Sequence, residues 1–490
     1  MNLLTASFNE ISVAVNSGKI SAAEVTKFFM QRAEKLNPIL NAFTHFNTNA
    51  IAEAEKLDAE IASGQNQRPL AGVVFGIKDM LCTKGMPSTA ASKMLQGFIP
   101  PYDATVVARL KSAGAIVLGK LNQDEFAMGS SNENSFYGPC KNPWNTEYVP
   151  GGSSGGSASA QSARLVMGAI GTDTGGSIRQ PSNFCGIVGI KPTYGRVSRY
   201  GIVSYASSLD QAGPMTSTVS DAAKTLEIIC GADENDSTTS KKSVDHFFKN
   251  LSTDIKGLKI GLIKEFLHGQ ADADIEKVFN SAVDELKKMG AEIIEISIPL
   301  VEFAVPMYYL ISASEASSNL ARYDGVKYGY RSDFKDLSSV DIEEFYSATR
   351  GSGFGAEVKR RIMLGTYCLS SGYFDAYYKK ACQVRRLLKN QYEEAFKKCD
   401  VMFSPVTTTP AFKIGEKVAD PLKMYFNDFF TTSTNLAGLA GMSVPFGLSS
   451  QNLPIGVQLT SAPFEEQKIL NIAYALESVS PVQGMVPNVY

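Results

Sequence analysis

Apolar positions recur along the chain with two different periods, helical and strand-like, and the switches between them mark its elements. Ser21-Ala-Ala-Glu24 is a capping box, followed at helical spacing by Val25, Phe28, Phe29, Ala33 and Leu36, which predicts a helix that Pro38 ends. A second helix is predicted over 49–61, with Gly64 beyond it. The apolar run Leu70–Ile77 reads as a buried strand that delivers Lys78 and Asp79 at its end. A helix over 104–113, a strand over 115–118 and a polar loop over 129–135 come next. That loop's composition suits a pocket lining and a plain connection equally well.

The stretch 149–179 breaks this pattern. Two glycine–serine clusters, 151–156 and 173–177, flank a small-residue segment that predicts a helix, a short strand over 165–170 and a tight turn into Ser177. Glycines this dense weaken regular structure, and one use for them is to crowd backbone N–H groups round a bound oxygen. A flexible linker is the alternative, but Leu165, Val166, Met167 and Ile170 lie between the clusters.

Further on, 187–192 reads as a strand and 196–213 as a turn-rich segment. A strand over 258–263, a helix over 274–289 and a strand over 291–298 form a βαβ unit, which argues for parallel pairing and an α/β fold. The Asp/Ser/Thr/Lys-rich stretch 236–256 is the candidate surface insertion. A helical region covers 355–398, before strands at 401–404, 442–445 and 455–459 and a helix over 465–476. The chain shows no internal repeat, coiled coil or low-complexity tract.

Composition narrows the function. A net charge of −2 over 490 residues gives no basic field to draw nucleic acid, so any RNA is expected to be held by a partner. Seven scattered cysteines without a C-x-x-C pair favour free thiols in a reducing compartment, and the cytosol is the expected location. The N-terminus has no targeting pattern and no window approaches a membrane span. Only three histidines occur, His45, His246 and His268, none near the serine clusters in sequence. A histidine-based metal site is poorly supplied, and no phosphate loop is evident.

Both Ser153 and Ser154 satisfy G-x-S-x-G, which would suggest a nucleophile elbow with His246 or His268 completing a triad. Glycine repetition generates that match by chance. A serine–serine–lysine arrangement suits the inventory better. A hydroxyl needs a base, a lysine is one only when burial keeps it neutral, and a second hydroxyl can relay the proton. A snorkelling surface lysine is the bland reading of Lys78.

Gly151–Ser157, Gly171–Pro181 and Gly76–Asp79 together resemble the amidase signature family, and the likeness extends over nearly the whole chain. Lys120–Gly129, Lys191–Ser198, Ser207–Gln211, Ser314–Asn319 and Glu357–Gly365 are similar to its glutamine-using amidotransferase branch. The resemblance implies an α/β fold, a single amidase domain over 1–490 (core signature 70–215) with a mixed, mostly parallel central β-sheet flanked by helices. It implies Ser177 as the acyl-forming nucleophile, Ser153 as the bridging serine after a cis peptide, and Lys78 as the base. Thr174, Gly175, Gly176 and Ser177 would supply the oxyanion N–H groups. Arg361 and Asp428 match the residues that hold glutamine's α-carboxylate and α-amino groups; an exposed helix charge and a capping carboxylate are the alternatives. No cofactor is implied in this chain. Ammonia would pass to a partner subunit (B) that uses ATP and Mg²⁺ to amidate Glu-tRNA(Gln) or Asp-tRNA(Asn), with a small third subunit (C) completing a heterotrimer. A stand-alone amidase acting on another amide is the competing expectation.

Overall fold

Short apolar runs bounded by turns pair into one mixed sheet in the computed structural model, which describes the chain except residues 65–66, 268, 419 and 489–490. Among the described residues its strands are β1 Phe43–Phe46, β2 Val74–Lys78, β3 Ile116–Leu121, β4 Gly168–Asp173, β5 Val188–Lys191, β6 Gln211–Thr216, β7 Lys259–Ile263, β8 Glu292–Ile296, β9 Val401–Pro405, β10 Ala440–Leu448 and β11 Pro454–Ser461. They lie in the order β1-β3-β2-β4-β6-β5-β10-β11-β9-β7-β8. The ladders β3–β2–β4 and β9–β7–β8 are parallel, and antiparallel pairs join the two blocks. The βαβ unit read at 258–298 is the second block's β7 and β8, joined by the helix Ala273–Lys288.

Helices cover the sheet. Ser21 caps the helix Ala22–Leu40 by accepting from the Glu24 N–H, while Glu24 reaches back to the Ser21 N–H. Pro38 does not end this helix as expected; it sits in the last turn, where a missing N–H costs one bond, and Asn41 in a left-handed conformation closes it. The helix Gly155–Ser162 is buried along its whole length, which its small residues permit: a methyl group on Gly156 would sit 2.4 Å from the Asn122 carbonyl oxygen.

The parallel pairing of β2 with β4 places the site. Ile77 is level with Ile170, so Lys78 leaves β2 beside Gly171 and Thr172, and both strands end at one edge of the sheet. Open α/β sheets gather their functional loops at the carboxyl ends of such strands. The strand expected over 165–170 lies at 168–173, three residues later, which carries Thr172 and Asp173 to that edge.

Candidate active site

Lys78 is fully buried, and its ammonium nitrogen lies 2.7 Å from Ser153 Oγ, 2.9 Å from Ser154 Oγ and 2.8 Å from Thr172 Oγ1. Burial lowers its pKa from 10.5 to about 7, against the opposing pull of Asp124, Asp173 and Asp210. Removal from water disfavours the charged amine, and the surrounding hydroxyls can hydrogen-bond either protonation state. Ser153 follows the cis peptide Gly152–Ser153 at the entrance to the buried helix.

Ser177 stands on the turn after β4 and is 8% exposed. The Ser154 N–H donates to its carbonyl at 3.3 Å, which ties the two glycine–serine clusters together. Its hydroxyl has no hydrogen-bond partner among the described residues, so the last link of the chain Lys78–Ser153–Ser177 is open here. The N–H groups of Thr174, Gly175, Gly176 and Ser177 likewise meet no acceptor among the described residues. Buried backbone donors are nearly always paired, so four in a row without an acceptor leave this turn free to donate to a bound oxygen atom.

Several contacts fix this turn. Thr174 Oγ1 donates to Asp210 Oδ1 at 2.7 Å, and Thr431 Oγ1 donates to the Gly175 carbonyl at 2.7 Å. The Asp173 carboxylate takes both Nε and Nη2 of Arg179 at 3.0 Å; burial pushes its pKa up, but the guanidinium prevails and holds it down at about 2. Both glycines are demanded by close approach. A methyl group on Gly175 would lie 2.6 Å from the Tyr308 ring, and one on Gly176 2.4 Å from Thr431 Oγ1 and 3.4 Å from Asp428 Oδ1.

That last distance brings Asp428 to the turn that carries Ser177. Asp428 is buried, its Oδ2 accepts from Ser130 Oγ at 2.6 Å, and burial raises its pKa to about 7. Arg361, 3% exposed, is no surface charge. Its Nε donates to Glu357 Oε1 at 2.8 Å and its Nη1 to Tyr205 Oη at 2.6 Å, with the rings of Tyr205, Tyr309 and Tyr425 within 5.6 Å. Nη2 has no partner among the described residues, which leaves one edge of the fork for a ligand. Arg361 and Tyr425 line a cleft of about 140 Å³ together with Gly129 and Ser131. The loop 129–135 therefore lines the site. Clefts of about 490 and 500 Å³ lie elsewhere, beside Arg385 and Leu300, and touch none of these groups, so size alone would not find the site.

His246 sits on the surface, 3.1 Å from Glu227 Oε1, His45 belongs to β1, and His268 lies outside the described residues. Neither described histidine bonds to Ser153, Ser154 or Ser177. Among the described residues no cluster of His, Cys, Asp or Glu is placed to hold a metal ion, and no helix is long and apolar enough to cross a membrane. Sequence reasoning missed Thr172, Asp124, Asp210 and Tyr205, whose types carry no signal until the fold brings them together.

The Amidase family model matches residues 24–470. Over 489 residues the chain is 68% identical to the glutamyl-tRNA(Gln) amidotransferase A-subunit of Bdellovibrio bacteriovorus, covering 100% of both chains. The protein of the same name from Carboxydothermus hydrogenoformans is 52% identical, with 97% of this chain and 98% of that one covered. Among solved structures, the glutamyl-tRNA(Gln) amidotransferase A-subunit of Thermotoga maritima superposes with a TM-score of 0.83 at 39% identity, over 100% of this chain and 99% of that one. A peptide amidase bound to the competitive inhibitor chymostatin superposes at 0.85 with 30% identity, over 99% of each chain.

Proposed function

This chain belongs to the amidase family, and on that premise we propose how its site works as the glutamine-hydrolysing part of an amidotransferase. It serves as one component of an amidotransferase, in a complex with other subunits. Neutral Lys78 takes the Ser153 proton while Ser153 takes that of Ser177, once Ser177 Oγ turns onto Ser153 Oγ. The freed Ser177 oxygen attacks the side-chain amide carbon of glutamine. The N–H groups of 174–177 hold the resulting oxyanion, and one such donor is worth about 3–4 kcal/mol of barrier. The proton returns through Ser153 to the leaving nitrogen, ammonia departs, and a glutamyl ester remains on Ser177 for water to cleave. Arg361 Nη2 binds the α-carboxylate and Asp428 the α-ammonium.

The observation that carries this reading is the buried Lys78 nitrogen 2.7 Å from Ser153 Oγ, together with four N–H groups over 174–177 that meet no acceptor among the described residues. The chemistry within this chain needs no cofactor. We assign ATP and Mg²⁺ to the partner that takes the ammonia and amidates Glu-tRNA(Gln) or Asp-tRNA(Asn), a third small subunit to the same assembly, and the cytosol as its location.

The test is intact-mass analysis of the quenched complex with glutamine. A glutamyl adduct that maps to Ser177 and is absent from Ser177→Ala is expected. An adduct on Ser154, or one that survives in Ser177→Ala, would overturn the assignment. A stand-alone amidase predicts full activity of the isolated chain on simple amides and no gain from partners.

A further inference from the structure

The loop 122–134 touches three separate parts of the site. The Asp124 N–H donates to the Ser153 carbonyl at 3.2 Å, Asn132 Oδ1 accepts from the Gly156 N–H at 3.0 Å, and Ser130 holds Asp428. Between these contacts lies Glu125, 3% exposed and used by none of the steps above. One of its oxygens is gripped by the Ser92 hydroxyl, and the other accepts from the Gly355 N–H at 2.9 Å. Gly355 is the cap residue of the helix Ala356–Leu369, which carries Glu357 and Arg361.

A glycine cap has no side chain to satisfy its helix's first turn, and here a carboxylate 230 residues away meets the cap's own N–H. The Glu125 segment is itself rigid. Phe126 and Ala127 hold φ values of 50° and 61°, Phe126 packs on Tyr323 and Phe354, and its N–H donates to the Ala90 carbonyl at 2.9 Å. The fit at Gly355 is close: a methyl group there would sit 2.3 Å from Glu125 Oε2.

We propose that Glu125 is a positioning residue for glutamine, fixing the Arg361 helix against the turn that holds Ser153. It sets the distance between the α-carboxylate clamp and the nucleophile without touching the substrate. The inference rests on Arg361 binding that carboxylate. A displacement of about 1 Å at such a clamp can cost on the order of 100-fold in rate.

The experiment compares two amides in the assembled complex, following ammonia release: glutamine, and 4-aminobutanamide, which is glutamine without its α-carboxylate. Glu125→Ala should raise the glutamine KM about 10-fold or more and leave kcat/KM for 4-aminobutanamide within about threefold. Glu125→Gln, which keeps an acceptor for Gly355, should recover most of the loss. Gly355→Ala displaces the carboxylate without deleting it and should reproduce Glu125→Ala, so the comparison survives if Glu125→Ala folds poorly. Equal losses on both amides, or an unchanged glutamine KM, would overturn the proposal. Arg361→Ala run in parallel separates the premise from the inference. If it fails to discriminate between the amides, the clamp itself is misassigned; if it discriminates and the Glu125 and Gly355 variants do not, only the role of Glu125 falls.

Discussion

Lys78 concentrates the tension between stability and function in one side chain. Its folded pKa of about 7 lies below the 10.5 of an exposed lysine, so below pH about 7 the native state holds a buried ammonium at full cost. That cost fades as pH rises from about 7 past 10.5, above which folded and unfolded forms are both neutral. Lys78→Met should therefore abolish glutaminase activity yet raise unfolding free energy by about 1–3 kcal/mol at pH about 6, and by less at pH about 9. Denaturant titrations at the two pH values check the sign. Arg361→Ala should act differently, raising the glutamine KM at least about 10-fold with kcat little changed, because it removes binding made equally in ground and transition states. Saturation kinetics decide it.

At the scale of elements, the site is two parallel strand ends, β2 and β4, closed over by loops. Much of this was legible because burial leaves a mark on sequence: the apolar run 70–77 marks an interior segment, although only its second half joins strand β2 and a turn over 69–72 occupies its start, and a lysine at its end had to be buried or snorkelling. The glycine clusters were legible because close approach admits no other residue. What stayed hidden was set by distant partners. The strand β6, Gln211–Thr216, begins inside the segment 196–213 that reads as turn-rich, and pairing with β4 and β5 overrides its glycine and proline. The helix Arg179–Cys185 carries no periodic signal in seven residues; it is pinned by Arg179, fully buried, which binds Asp173, the Thr431 carbonyl and Gln458. Arg179→Ala strands Asp173 as an unpaired buried charge and should cost about 3–5 kcal/mol, read as a lower denaturant midpoint.

Over the whole molecule, one sheet carries both blocks, and the proposed substrate clamps come from segments that neighbour the proposed nucleophile only in the folded chain. Arg361 and Asp428 lie far along the sequence from Ser177, yet Asp428 reaches the Gly176 turn. The groups proposed to act must both be deprotonated: Lys78 as a base and Asp428 as a partner for the α-ammonium, each near pH about 7. The kcat/KM for glutamine should thus climb steeply across pH about 6 to 8, and Asp428→Asn should leave a shallower limb set by Lys78 alone.

The protonation of Lys78 itself is the most direct measurement. Chains labelled with ¹³C at lysine Cε, compared with Lys78→Met to assign the signal against the buried Lys120 and Lys191, give its titration by NMR. A resonance that moves with a midpoint near pH 7 is predicted. One that stays in the ammonium position up to pH about 10 would contradict the account, since Ser153 would then have no base to receive its proton.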